Sequence, residues 1–150
     1  MSSYRTIVVG TDGSDSSLRA VARAGALAGA TGATLVVTCA YLPDDDGRDS
    51  ARASDVLRED AYQIVGSHPA EDKVRTAAEK AQAAGAEKVK TLAVKGSPVE
   101  ALLDVCKRED ADLLVVGNRG LNSVKGRLLG SVPADATRRS GVDVLVVHTT

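Results

Sequence analysis

The chain has 150 residues, 43% of them hydrophobic and 26% charged, which suits one domain with one core and excludes intrinsic disorder. Nineteen Lys and Arg against 20 Asp and Glu leave a net charge of −1, without the basic excess of a duplex nucleic-acid binder. Three Tyr with no Phe or Trp leave almost nothing for a single strand to stack on.

Short β-branched runs alternate with helical periods. The first run, residues 6–9, starts close to the N-terminus with no signal-peptide core before it. Next come Gly10-Thr11-Asp12-Gly13-Ser14-Asp15-Ser16-Ser17, in which Ser14, Asp15 and Ser16 are all good helix caps and Asp15 is the expected one. Leu18, Val21, Ala22 and Gly25 then form an apolar stripe, with Arg19 and Arg23 opposite. A second strand is predicted over 34–38, followed by an acidic surface loop over 43–49.

Leu57, Ala61, Ile64 and Val65 start a second helix, which Gly66-Ser67-His68-Pro69 is expected to interrupt before Val74, Ala77, Ala78 and Ala81 resume the period. Strand three is expected over 89–94. Ser97-Pro98-Val99-Glu100 then reads as cap, first helical position and first-turn acid of a helix carrying Val99, Leu102, Leu103 and Cys106. Strands are expected over 113–116 and 142–147, with a last helix over 131–140 between them. Cys39 and Cys106 lie in apolar runs and read as buried free thiols of a reducing compartment. With no bilayer-spanning apolar run, the expectation is a soluble, cytoplasmic protein that binds neither membrane nor nucleic acid.

The order β-α-β-α-β-α-β-α-β implies an α/β fold: an open parallel sheet with helices on both faces and right-handed crossovers. Such sheets bind ligands at the carboxyl ends of their strands where the strand order reverses, which directs attention to the segments after Val9, Thr38 and Val116. The last is the richest: Gly117-Asn118-Arg119-Gly120-Leu121-Asn122-Ser123-Val124-Lys125-Gly126-Arg127-Leu128-Leu129-Gly130-Ser131-Val132-Pro133. Glycines admit a ligand to main-chain amides, a helix beginning at Ser131 offers unpaired N–H groups, and Arg119, Lys125 and Arg127 add positive charge. The physical reading is a phosphate cradle; a Gly-rich surface turn competes with it. Asp12, at a strand end, suits an amino group, a ribose hydroxyl or a metal; capping is the alternative. A P-loop lysine signature and a dinucleotide Gly fingerprint are both missing. So are a nucleophile elbow and Cys–His metal spacing.

Gly117-x2-Gly120-x9-Gly130-Ser131 resembles the G-x2-G-x9-G-[ST] nucleotide signature of the universal stress protein family. Ile7-Val8-Val9-Gly10-Thr11-Asp12-Gly13-Ser14 is similar to its first strand and turn, and Val142-Asp143-Val144-Leu145-Val146-Val147 to its last strand. The resemblance spans essentially the whole chain and is greatest to small single-domain actinobacterial members associated with ATP or cyclic AMP. It implies the adenine-nucleotide α-hydrolase-like sheet of order 3-2-1-4-5 and a homodimer through the final strand. Asp12 would contact adenosine and the backbone near Ala40 would read adenine. Gly117, Gly120, Gly130, Ser131 and Val132 would hold ribose and phosphates. Gly10, Thr11, Asn118, Arg119, Gly126 and Arg127 complete the candidate set, and Asp12 is a candidate for Mg²⁺ through a bound triphosphate. The role implied is a regulatory or buffering protein of the stress response and not an enzyme, with slow ATP hydrolysis left open. Two other readings stand: a PP-loop-like ATP pyrophosphatase, from a partial match at Asp12-Gly13-Ser14-Asp15-Ser16, and a structural dimer without ligand.

Overall fold

The structure is a computed structural model that describes residues 4–43, 66–119 and 131–149, with Ser131 given through its backbone. Five parallel strands run β1 (Thr6–Gly10), β2 (Thr34–Tyr41), β3 (Lys88–Lys95), β4 (Leu113–Gly117) and β5 (Asp143–Val147). They lie side by side in the order β3-β2-β1-β4-β5, as expected. The helices among the described residues are α1 (Asp15–Thr31), α2 (Ser67–Ala83), α3 (Pro98–Arg108) and α4 (Ser131–Arg139). None of them is long and apolar enough to cross a membrane. The acidic residues from Asp44 onward and the predicted helix at Leu57, Ala61, Ile64 and Val65 lie outside the described residues.

Alternation along each strand divides the apolar side chains between two layers. Ile7, Val9, Leu35, Val37, Cys39, Leu113, Val115 and Val147 pack with α1 and α2, around Ala20, Val21, Ala24, Ala70, Val74 and Ala77. Val8, Val36, Leu114 and Val116 pack with α3 and α4, around Leu102, Val105, Val132 and Ala136. Cys39 and Cys106 are buried free thiols in opposite layers, as expected. Burial pushes Cys39 up to about 12, with Asp12 raising it further and Lys73 acting against the rise. Cys106 is pushed up to about 11 by burial. Both thiols are therefore protonated and unreactive at neutral pH.

Two local expectations need correction, and a third needs its boundary moved. The α1 stripe is rotated by about one position: Ser17, Ala20, Val21, Ala24, Gly25 and Ala28 are buried, whereas Leu18 and Ala22 are only half-buried. Small side chains let α1 lie close to the sheet and α2, which a Leu-centred face would prevent. Ser14, not Asp15, caps α1 by accepting the Ser17 N–H at 3.2 Å, and Asp15 supplies a carboxylate to the first turn. The helix expected to resume with Val74 already starts at Ser67, after Gly66 in a non-helical conformation, and Ser67, His68 and Pro69 form the first turn of α2, where proline is tolerated because the amides have no intrahelical partner. α3 starts as expected, with Ser97 at the cap position and Pro98 first, although the Ser97 side chain makes no cap hydrogen bond.

At the amino end of the sheet, Asp112 accepts the Arg5 N–H at 3.0 Å and the Thr6 N–H at 3.1 Å. It returns its own N–H to the Thr6 carbonyl at 3.0 Å, tying the start of β1 to that of β4.

Candidate functional site

β1 leads to β2 and β3 on one side, whereas β4 and β5 lie on the other, so the order reverses between β1 and β4. Gly10, Thr11 and Asp12 leave the carboxyl end of β1 there, beside Ala40 near the end of β2 and Gly117, Asn118 and Arg119 at the end of β4. The Thr11 N–H donates to the Thr38 carbonyl at 2.9 Å, extending the β1–β2 ladder past Gly10.

The β1–α1 turn is a closed hydroxyl network. Ser17 Oγ donates to the Ser14 carbonyl at 2.9 Å, so Thr11 Oγ1, 2.8 Å from Ser17 Oγ, is the donor in that pair. Thr11 Oγ1 also accepts the Gly13 N–H at 3.0 Å, and Asp12 Oδ1 accepts the Ser14 N–H at 2.9 Å. Thr11 is buried and its hydroxyl fully engaged, so it shapes the turn. Asp12 is half-buried, and its second oxygen takes no hydrogen bond from a described residue. Gly13 has φ +84°, and a Cβ there would lie 2.3 Å from Lys73 Cδ, so glycine serves both the left-handed turn and the lysine crossing it. Lys73, from α2, is half-buried with no hydrogen bond or ion pair to a described residue, which places a cation beside Asp12.

At the end of β4 the protein's own tail packs between Gly117, Asn118 and α1. Asn118 donates its N–H to the Val147 carbonyl at 2.8 Å. Its Oδ1 accepts both the Thr149 N–H at 2.7 Å and the Thr149 hydroxyl at 3.0 Å. Ser16 Oγ lies 2.6 Å from Thr149 Oγ1, and Arg19 Nη1 donates to the Thr149 carbonyl at 2.7 Å. A Cβ at Gly117 would lie 3.3 Å from Thr149 Cγ2, so the missing side chain at Gly117 admits the tail. The amide oxygen of Asn118 is thus committed to the fold, and Arg119 is exposed.

α4 opens at Ser131 as expected, with Val132 buried against the sheet and Pro133 in its first turn. The first-turn amides of such a helix have no intrahelical acceptors and carry the positive end of its dipole. Gly120, Gly126, Arg127 and Gly130 lie outside the described residues.

Sequence reasoning missed Thr38. It is 1% exposed, and its Oγ1 has no hydrogen-bond partner among the described residues. A buried unpaired hydroxyl costs about 1–3 kcal/mol. The signal was a threonine inside an otherwise apolar run of a strand covered on both faces. Lys73 and Thr149 carried no signal, because only the fold brings α2 and the tail to the strand ends. The half-free carboxylate, the orphaned hydroxyl and the helix start suit a ligand with a polar heterocycle and an anionic tail. Among the described residues no three His, Cys, Asp or Glu side chains group as a metal site.

Comparison with known proteins shows the family and the fold. A model of the universal stress protein family matches residues 3–148. A universal stress protein of Mycobacterium tuberculosis is 52% identical over 150 residues, covering 100% of both chains. The crystal structure of a universal stress protein in complex with cAMP is 46% identical, covers 99% of this chain and 100% of that one, and has a TM-score of 0.76. UspA of Lactobacillus plantarum, 24% identical, shares the fold with a TM-score of 0.74 over 97% of this chain and 98% of its own.

Proposed function

The chain belongs to the universal stress protein family, and from that premise we propose that it binds an adenine nucleotide, ATP or cyclic AMP, as a regulatory or buffering protein of the stress response. The observation that carries the reading is the convergence of the Gly10–Thr11–Asp12 turn, Ala40, Gly117 and the opening of α4 at the reversal point of the sheet. The cAMP complex of a relative 46% identical to this chain supports the same ligand class.

In this reading the whole chain works as one nucleotide-binding module. The Ala40 backbone reads adenine, and Asp12 takes an adenosine hydroxyl or amino group on its free oxygen. Gly117, Gly120, Gly130, Ser131 and Val132 present amides to ribose and phosphates, since amides at a helix start attract anions. Gly126, Arg119 and Arg127 complete the loop. Gly10 and Thr11 hold the turn, and Asn118 acts through its main chain because Thr149 occupies its side-chain oxygen. A triphosphate would bring Mg²⁺ to Asp12. The reading is a regulator and not an enzyme, with slow ATP hydrolysis left open: both thiols are protonated, and the exposed His68 side chain lies 4.0 Å from Glu71, beyond hydrogen-bonding distance. It works in the cytoplasm as a homodimer joined through β5.

Calorimetric titration with ATP, ADP, AMP and cyclic AMP, each with and without Mg²⁺, tests the reading. Binding of at least one of them is expected, and Gly120→Leu or Gly130→Leu should abolish it while the circular dichroism of the fold is kept. Unchanged affinity in both variants would remove the cradle.

A further inference from the structure

We propose that Thr38 is a specificity-determining residue for the purine base, a contact outside the nucleotide-binding set above; the proposal rests on that reading of the site. Along β2, Leu35, Val37 and Cys39 face α1 and α2, whereas Val36 faces α3 and α4. Thr38 lies two residues past Val36 and shares its face. In register it stands between Leu92 of β3, which packs in the same layer, and Gly10 of β1, which contributes no side chain. Val116 and Val132 belong to that layer too, and Val132 sits in the first turn of α4. The layer is therefore the floor of the crevice where the β1–α1 turn and the start of α4 meet. At the carboxyl end of this layer lies Oγ1 of Thr38, 1% exposed and without a hydrogen-bond partner among the described residues.

The strand itself has no use for that hydroxyl. Valine has the same branched shape and the same fit to a pleated surface, with no polar atom to bury. Nor does the neighbouring turn use it: Thr11 bonds to the main-chain carbonyl of Thr38, and the Thr11 hydroxyl is taken by Ser17 and Gly13. Ala40 follows on the same face, about 6.6 Å further along the strand, a separation that a bicyclic base with its substituents spans. A base read by the Ala40 backbone thus has its inner edge over Thr38. The hydroxyl both donates and accepts, so it reads either a ring nitrogen or an exocyclic amino group.

The test is calorimetric titration of wild type, Thr38→Val and Thr38→Ser with AMP, the three AMP analogues lacking N1, N3 or N7, and purine riboside monophosphate, alongside ligand-free thermal unfolding. Ligand-free Thr38→Val should melt at or above the wild-type temperature, while its AMP affinity falls about three- to tenfold, the range of one neutral hydrogen bond. Thr38→Ser should restore most of the affinity. One analogue should bind wild type more weakly by that factor and show no further loss with Thr38→Val, because the contact is already gone. If Thr38→Val does not fold, Thr38→Ala supplies the same comparison. Wild-type binding with unchanged affinity in the variant overturns the proposal alone, as does a lower melting temperature without loss of affinity. Wild type that binds no nucleotide overturns the proposal and the functional reading together.

Discussion

The two edges of the sheet are built by opposite rules. β3 carries Lys88, Lys90 and Lys95, all exposed, and Lys90 is held by Glu109 at 2.6 Å. Charges of this kind keep a further strand from pairing with an edge. β5 carries Val144, Leu145, Val146 and Val147 after Asp143, with no lysine, and Leu145 is the only large hydrophobic residue exposed among the described residues. Both strands pair in parallel with an inner neighbour, so topology does not separate them. Side-chain chemistry does: one edge is defended against company and the other is left open to it, which suits the β5 dimer that the family resemblance implies.

The largest effect should come from giving β5 the protection of β3. Leu145→Lys places a charge on the proposed interface and should weaken dimerisation about a hundredfold, close to 3 kcal/mol. Sedimentation equilibrium reads this, and a variant as dimeric as wild type would move the interface elsewhere. A point substitution is better suited than deleting residues 142–150, since Val147 is part of the core and Thr149 holds Asn118. The reverse exchange is smaller. Lys90→Val removes the guard and the ion pair with Glu109. It should alter folding stability by at most about 1 kcal/mol, because Lys90 is half exposed, while light scattering rises with concentration. Unchanged scattering would show that the lysines do not protect that edge.

The smallest effect concerns the anchoring of β5. Tyr4 Oη donates to Asp143 Oδ2 at 2.9 Å, and this bond, with desolvation and the charges of Asp143 and Asp112, raises the phenol above its usual value of 10.0. A raised folded value means that the contribution to stability is complete below the unfolded value and disappears as pH rises through the folded one. Asp143→Asn should therefore bring the Tyr4 titration, followed by NMR, back toward 10.0, and should lower stability only on the acid side of that transition. A Tyr4 midpoint unmoved by Asp143→Asn would dissociate the shift from that bond.

Much of the fold was readable because period carries it. Continuous apolar runs at residues 6–9, 34–38 and 113–116 announced strands covered on both faces, and every strand was found within a few residues of its place. The start of α2 falls at Ser67, inside the expected interruption, because a proline that breaks a helix interior suits a first turn, and nothing in the sequence near Pro69 says at which residue the helix begins. At the site, position in the β-α order pointed to the segments after Val9, Thr38 and Val116, whose strand ends lie at the reversal point, whereas the role proposed for Ala40 rests on the family resemblance. Gly120, Gly126, Arg127 and Gly130 rest on the glycine spacing.

The sequence by itself determined the alternation of strand and helix, the apolar layers and the end of the sheet at which the proposed site lies, since local periodicity and connection handedness are properties of neighbouring residues. Tertiary structure alone decided which atoms meet there. It set Lys73 of α2 across Gly13 and locked Asn118 to Thr149. It also left the Thr38 hydroxyl without a partner among the described residues, because hydrogen-bond satisfaction is fixed by contacts between distant segments and not by any pattern along the chain.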